Sequence, residues 1–192
     1  RFDTYLRNYP LGLDEAALAR NIIERPWSRL FGWLDYAQIA PPGFLLVEKG
    51  VTGVFGSSEY ALRIVPLFCG VLSVWLFWQV SRRLLPPVPA LMAFGLFALN
   101  TTFVDFAAYA KPYSGDVAAT LLLLFLACKV FEPTVMPRKA TAIALAGGAI
   151  CFFSLPSVFV LVGAALACVN RARRERAPAR RHALVAAAIL WC

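Results

Sequence analysis

The stretch RIVPLFCGVLSVWLFWQVSRR, residues 63–83, decides how this chain reads. Arg63 stands at one end, Arg82 and Arg83 at the other, and no charge lies between them. Its apolar part, Ile64 to Val80, approaches the roughly 20 residues that a helix needs to cross a bilayer. Further apolar runs follow, separated by short polar junctions. Basic residues crowd every second junction: Arg82-Arg83, Arg138-Lys139, and Arg171 through Arg181. Such alternation is what the positive-inside rule leaves in a chain that crosses a membrane repeatedly, with the basic junctions in the cytoplasm. The expected fold is therefore all-α, a polytopic transmembrane helical protein.

The segment ahead of this stretch has a different character. Residues 1–63 hold seven of the eleven acidic residues, balanced by seven basic ones. By the same alternation they face outward, as an external first loop of amphipathic juxtamembrane helices, and residues 64–192 form the transmembrane region. The chain starts at Arg1 and ends ten residues into the apolar run after His182. It reads as a fragment of a longer polytopic protein, lacking a preceding span and the rest of its last helix.

Composition agrees. With 60% hydrophobic and 16% charged residues and a mean hydropathy of +0.66, neither a disordered chain nor an ordinary soluble domain is expected. The net charge of +8 does not point to nucleic acid. Six basic residues fall within Arg171–Arg181, beside apolar runs, where they would meet lipid headgroups. No basic stripe is interleaved with aromatics. Membrane lipids, not nucleic acid, are the expected partners. The cysteines (Cys69, Cys128, Cys151, Cys168, Cys192) all lie in apolar runs without a Cys-x-x-Cys pair, and read as packing residues. His182 stands alone beside a basic cluster and has no expected role.

Along the external segment, Ala16, Leu18, Ala19, Ile22 and Ile23 have helical spacing, with Asp14-Glu15 at the start and Pro26 as the stop. Trp27 to Tyr36 is an aromatic cluster suited to headgroup level. Gln38 to Phe44 reads as a rigid turn, two prolines fixing φ and Gly43 relaxing it. Ser57 or Ser58 can cap the next helix, and Glu59 with Arg63 makes an i,i+4 pair. Beyond the first span, a second is expected over about Ala90 to Phe106, an outer loop over Ala107 to Gly115, and a third span from Asp116 to about Phe131. Residues 140–169 are uncharged; as one helix they would extend ~45 Å, too long for a hydrocarbon core of about 30 Å. Pro156 and the basic flanks predict two short helices with a tight outer turn at Ser154–Ser157.

Three outward groups can carry chemistry. Asp14-Glu15 reads, on physics alone, first as an acidic pair favoured by a helix N-terminus. Tyr109 to Asp116 reads either as an interfacial turn, with Lys111 snorkelling and Asp116 capping, or as a phosphate-binding cation beside an acid. Asp105, near the end of a span, is expensive there unless it faces protein or water, and so is a candidate site residue. Gln38 to Phe44 is either a plain turn or one wall of a pocket.

In order, Leu13-Asp14-Glu15-Ala16, Gln38-x-Ala-Pro-Pro-Gly-Phe44, Gly56-Ser-Ser-Glu-Tyr-Ala-Leu-Arg63 and Lys111-Pro-Tyr-x-x-Asp116 resemble bacterial GT-C glycosyltransferases. The similarity is to the branch of protein O-mannosyltransferases and lipid A aminoarabinose transferases. It implies transfer of a hexose or pentose from a polyprenyl-phosphate donor to an acceptor hydroxyl, at the outer face of the bacterial cytoplasmic membrane. It implies Asp14, Glu15 and Asp116 as catalytic residues, with Asp14 acting as general base, or helping to hold the donor or, with Asp116, a divalent metal ion. Lys111 would meet the lipid phosphate, with Arg63 second; Tyr113, Gln38 and Asp105 complete the substrate-binding set. Two departures are visible. Relatives carry an acid where this chain has Tyr109, and the Glu-Lys-Pro of the aminoarabinose branch has no match at Gln38-Ile39-Ala40-Pro41. The rival reading is a transporter or flippase of lipid-linked sugars, with Asp105 and Pro156 as pathway features; a scaffold without chemistry would leave the motif order unexplained.

Overall fold

Short helices open the chain wherever a proline or a glycine lets them start or stop. The computed structural model describes residues 1–132 and 136–191, helical and without strands among those residues. Helix α1 (Phe2–Arg7) ends at Asn8, which takes a left-handed conformation (φ 44°). Helix α2 (Leu13–Glu24) stops just ahead of Pro26, as its pattern predicts. A 3₁₀ turn follows over Trp27–Phe31, then α3 (Pro42–Phe55), which starts on Pro42 because a first-turn residue needs no N–H donor. Leu18 and Ile22 of α2 close over Leu30, Phe44 and Leu45 to form a small core. Trp33 is almost fully exposed, and Trp27, Phe31 and Tyr36 are exposed as well, the arrangement expected of aromatics at a membrane interface.

Two expectations for this segment are corrected. Gly43 does not relax φ in a turn: it lies inside α3, and its N–H donates to the Phe152 carbonyl oxygen at 2.8 Å. A Cβ there would sit 2.7 Å from that same oxygen, so glycine is required by close approach. The unusual backbone falls earlier, at Tyr36 (φ 60°) and Ala37 (φ 52°). Nor does Arg63 pair with Glu59; it turns to Asn8 and Glu15 instead. Ser58 does cap the short helix α4 (Glu59–Leu62), accepting from the Ala61 N–H at 3.2 Å.

Helix α5 (Ile64–Leu84) continues directly from α4, and the combined stretch Glu59–Leu84 is long and apolar enough to cross a membrane. Helix α8 (Tyr113–Phe131) passes the same test. The expected second span is broken in two, α6 (Pro87–Leu99) and α7 (Thr101–Phe106). Asn100 is extended between them and its side chain accepts from the Phe103 N–H at 3.2 Å. A side chain that caps a new helix competes with continuing the old one. Helix α5 packs along α8, and Gly70 lies so close to Ala107 that no Cβ would fit.

The uncharged stretch divides as expected into α9 (Pro137–Ile150) and α10 (Ser157–Arg174), followed by α11 (Pro178–Trp191). Ser157 closes the intervening turn by donating to the Ser154 carbonyl at 2.6 Å. Small residues let these helices approach α8 and each other, as membrane packing demands: Ala127, Ala144, Ala165, Cys168 and Ala187 are buried together. Trp191 donates its indole N–H to the Ala144 carbonyl at 2.7 Å. Cys69, Cys128 and Cys151 are half-buried; Cys192 lies outside the described residues.

Candidate active site

Asp14 and Glu15 are the second and third residues of α2, where unpaired backbone N–H groups and the helix dipole favour negative charge. Glu15 reaches back and accepts from the Gly12 N–H at 3.0 Å. Capping does not exhaust the pair, because both carboxylates also touch a loop nearly a hundred residues away.

That loop, between α7 and α8, is largely buried: Ala107, Ala108, Ala110 and Lys111 are covered, while Tyr109 is exposed. Lys111 is only 6% exposed, so it does not snorkel into solvent. Its ammonium lies 2.7 Å from Asp14 Oδ2 and donates to Gln38 Oε1 at 2.6 Å. Gln38 Nε2 in turn donates to Asp14 Oδ1 at 3.0 Å. Asp14, Gln38 and Lys111 thus form a closed ring of charge-assisted hydrogen bonds, with each side chain from a different segment. Asp14 itself remains 65% exposed, so one face of the ring is open. The Lys111 ammonium first, and the Gln38 amide second, hold the Asp14 carboxyl below the usual carboxylate range.

The second carboxylate anchors the backbone. Glu15 Oε1 accepts from the Ala110 N–H at 2.8 Å and lies 3.8 Å from the Arg63 guanidinium. Arg63 is buried and also donates to Asn8 Oδ1 at 3.1 Å. Ser114 Oγ donates to the Pro66 carbonyl at 2.9 Å, fixing the first turn of α8 on the first turn of α5. The pocket wall is held in place by Asn21, whose amide bonds both backbone groups of Asp35 at 2.8 and 3.2 Å. The Arg25–Asp35 ion pair at 2.8 Å adds to this. These contacts constrain the left-handed residues Tyr36 and Ala37 that turn the chain toward Gln38. A groove of about 330 Å³ opens beside Gln38, lined by Phe31, Trp33, Ile39 and Pro42.

The structure therefore joins Asp14, Glu15, Gln38, Arg63 and Lys111. Other predicted residues stand apart. Asp116 is the fourth residue of α8, not its cap, and its carboxyl faces Ser154 in the α9–α10 turn. Tyr113 packs its ring 5.0 Å from Phe106. Asp105 is exposed and makes no side-chain hydrogen bond or ion pair among the described residues. Sequence reasoning overlooked Asn21 and Glu48. Asn21 had a readable signal, a lone amide on the apolar face of α2 between Leu18 and Ile22. Among the described residues no three His, Cys, Asp or Glu side chains converge. Lys111 and Gln38 engage both oxygens of Asp14, and no further carboxylate, histidine or cysteine joins them to make a metal-ligand group among the described residues.

Residues 40–192 match the family model for dolichyl-phosphate-mannose-protein mannosyltransferases. The chain belongs to that family. Its members are membrane-embedded glycosyltransferases that draw sugar from a lipid-linked donor, which displaces the transporter reading. Arg63, Lys111 and Asp116 fall inside the matched region, whereas Asp14, Glu15 and Gln38 precede it. Comparison with curated proteins and with solved structures gave no match.

Proposed function

We propose that the ring of Asp14, Gln38 and Lys111 is the reaction centre of an enzyme that moves a sugar from a polyprenyl-phosphate donor to an acceptor hydroxyl. The reaction takes place at the outer face of the bacterial cytoplasmic membrane, and mannose is the first sugar to test. The observation that carries this reading is the 2.7 Å contact between an open-faced carboxylate and a buried ammonium. Glycosyl transfer needs both charges. The acceptor oxygen forms its bond to the anomeric carbon as the bond from that carbon to the phosphate oxygen breaks. Asp14 takes the hydroxyl proton, and the electron pair departs with the polyprenyl phosphate, whose charge Lys111 offsets. The two roles are coupled. While Lys111 holds Asp14, the carboxylate is a weak base; when the donor phosphate draws the ammonium toward itself, Asp14 regains proton affinity. Base strength thus rises only once the donor is seated. Arg63 braces the site from behind.

The test is transfer by membranes carrying the full protein, supplied with polyprenyl-phosphate mannose. Asp14→Asn keeps size and shape but cannot take a proton, so turnover should fall on the order of 10²- to 10⁴-fold with expression and insertion unchanged. Wild-type turnover in that variant would sink the assignment.

A further inference from the structure

Asp14 and Glu15 are neighbours in sequence, and they grip neighbours in the far loop: Asp14 holds the Lys111 side chain and Glu15 holds the Ala110 N–H. We infer that Glu15 is a positioning residue, which sets Lys111 against Asp14 by fixing the backbone one residue before it. The inference rests on the reaction centre proposed above.

Both oxygens of Glu15 are already engaged by the protein. Oε2 is taken by the Gly12 N–H at 3.0 Å, and Oε1 by the Ala110 N–H at 2.8 Å with Arg63 behind it. The contact is sheltered, since Ala110 packs with Ala19 and Leu62, and Leu11 covers them. A buried N–H deprived of its acceptor is costly, so without Glu15 the Ala110 amide has to move to find another partner. Lys111 cannot shift independently of Ala110, because its own N–H closes a tight turn onto the Tyr109 carbonyl at 2.8 Å. Where the Ala110 amide goes, the root of the lysine follows. The carboxylate therefore ties three things together: the start of α2 through Gly12, the start of α5 through Arg63, and the lysine loop through Ala110. It locates the two ends of the Asp14–Lys111 pair relative to each other.

Glu15→Gln and Glu15→Ala separate this role from a reacting one. The glutamine retains one oxygen for the Ala110 N–H. It should therefore keep turnover within about tenfold of wild type with an unshifted pH profile. The alanine should raise KM for the donor on the order of 10²-fold, the scale of a 1 Å misplacement, and move the acid limb of kcat/KM upward as Asp14 loses its cation. A readout independent of transfer is acylation of Lys111 by a water-soluble amine reagent, followed by peptide mass spectrometry. Lys111 should be protected in wild type and Glu15→Gln, and labelled in Glu15→Ala. Glu15→Gln as inactive as Asp14→Asn would make Glu15 a reacting group and overturn the inference. So would a Glu15→Ala protein with Lys111 still protected and the wild-type acid limb. Failure of the reaction centre itself shows differently, as full activity in Asp14→Asn whatever Glu15 does.

Discussion

Replacing Glu48 by glutamine should stabilise the protein, by an amount that grows with pH. Glu48 lies on the buried face of α3 beside Phe44 and Leu45, is 1% exposed, and has no hydrogen-bond partner for either oxygen among the described residues. Burial pushes its pKa from 4.5 up to about 9. Between those values the folded chain holds a proton that the unfolded chain has released. Stability therefore falls as pH rises through this window, by about 1.4 kcal/mol per pH unit. By pH 7 the accumulated cost is about 3 kcal/mol, an order-of-magnitude figure. Glutamine has nearly the same shape and does not titrate. Its buried amide leaves polar atoms unpaired much as the carboxylic acid does, so that penalty largely cancels in the comparison. The assay is unfolding in mild detergent at intervals from pH 5 to pH 9, wild type against Glu48→Gln. Groups not coupled to Glu48 are common to both proteins and drop out of the difference. The two stabilities should nearly coincide at pH 5 and diverge steadily in favour of the variant. Parallel curves, or a variant less stable than wild type at pH 8, would refute the picture of a buried protonated acid.

Lys111→Ala should raise KM for the donor and move the acid limb of kcat/KM upward, because the ammonium that holds Asp14 below the usual range is gone; a pH–rate profile with an unmoved limb would break the coupling. Gly43→Ala should cost about 1–3 kcal/mol, since its methyl would press on the Phe152 carbonyl, and its unfolding midpoint should drop accordingly. Reporter tags after Arg83 and at Gly115 should lie on opposite sides of the membrane; reports from one side would contradict the alternating arrangement.

The large elements were legible because one physical term dominates each. Leu13 to Glu24 has an apolar stripe and a proline stop; residues 63–83 have the length and the flanking arginines; Pro156 interrupts a stretch too long for one span. What escaped depends on balances that a hydropathy window averages away. Asn100 sits in an apolar surround, yet one side-chain hydrogen bond to Phe103 breaks the helix there. Glu59 and Arg63 have good helical spacing, but Arg63 finds more partners in Asn8 and Glu15, which arrive from other segments. Gly43 read as the relaxed position of a turn, and only the approach of Phe152, about a hundred residues on, explains it. For the site, residue types and motif order pointed to Asp14, Gln38 and Lys111. That Lys111 closes a ring with both of the others is a tertiary fact with no local signature. The left-handed pair Tyr36-Ala37 contains no glycine or asparagine to betray it.

The Asp14–Lys111 contact also counts membrane crossings. Two groups 2.7 Å apart share one side of a bilayer, so the chain between them must cross an even number of times. Helix α5, with 21 residues, supplies about 31 Å of rise and leaves toward Arg82 and Arg83. The return has to be made by α6 and α7, of 13 and 6 residues, which only together reach about 28 Å. If α5 crosses the bilayer, the break at Asn100 falls within the return crossing, and the two short helices share the work of one span. For a spanning α5, that single ion pair sends the chain back through its least regular helical stretch.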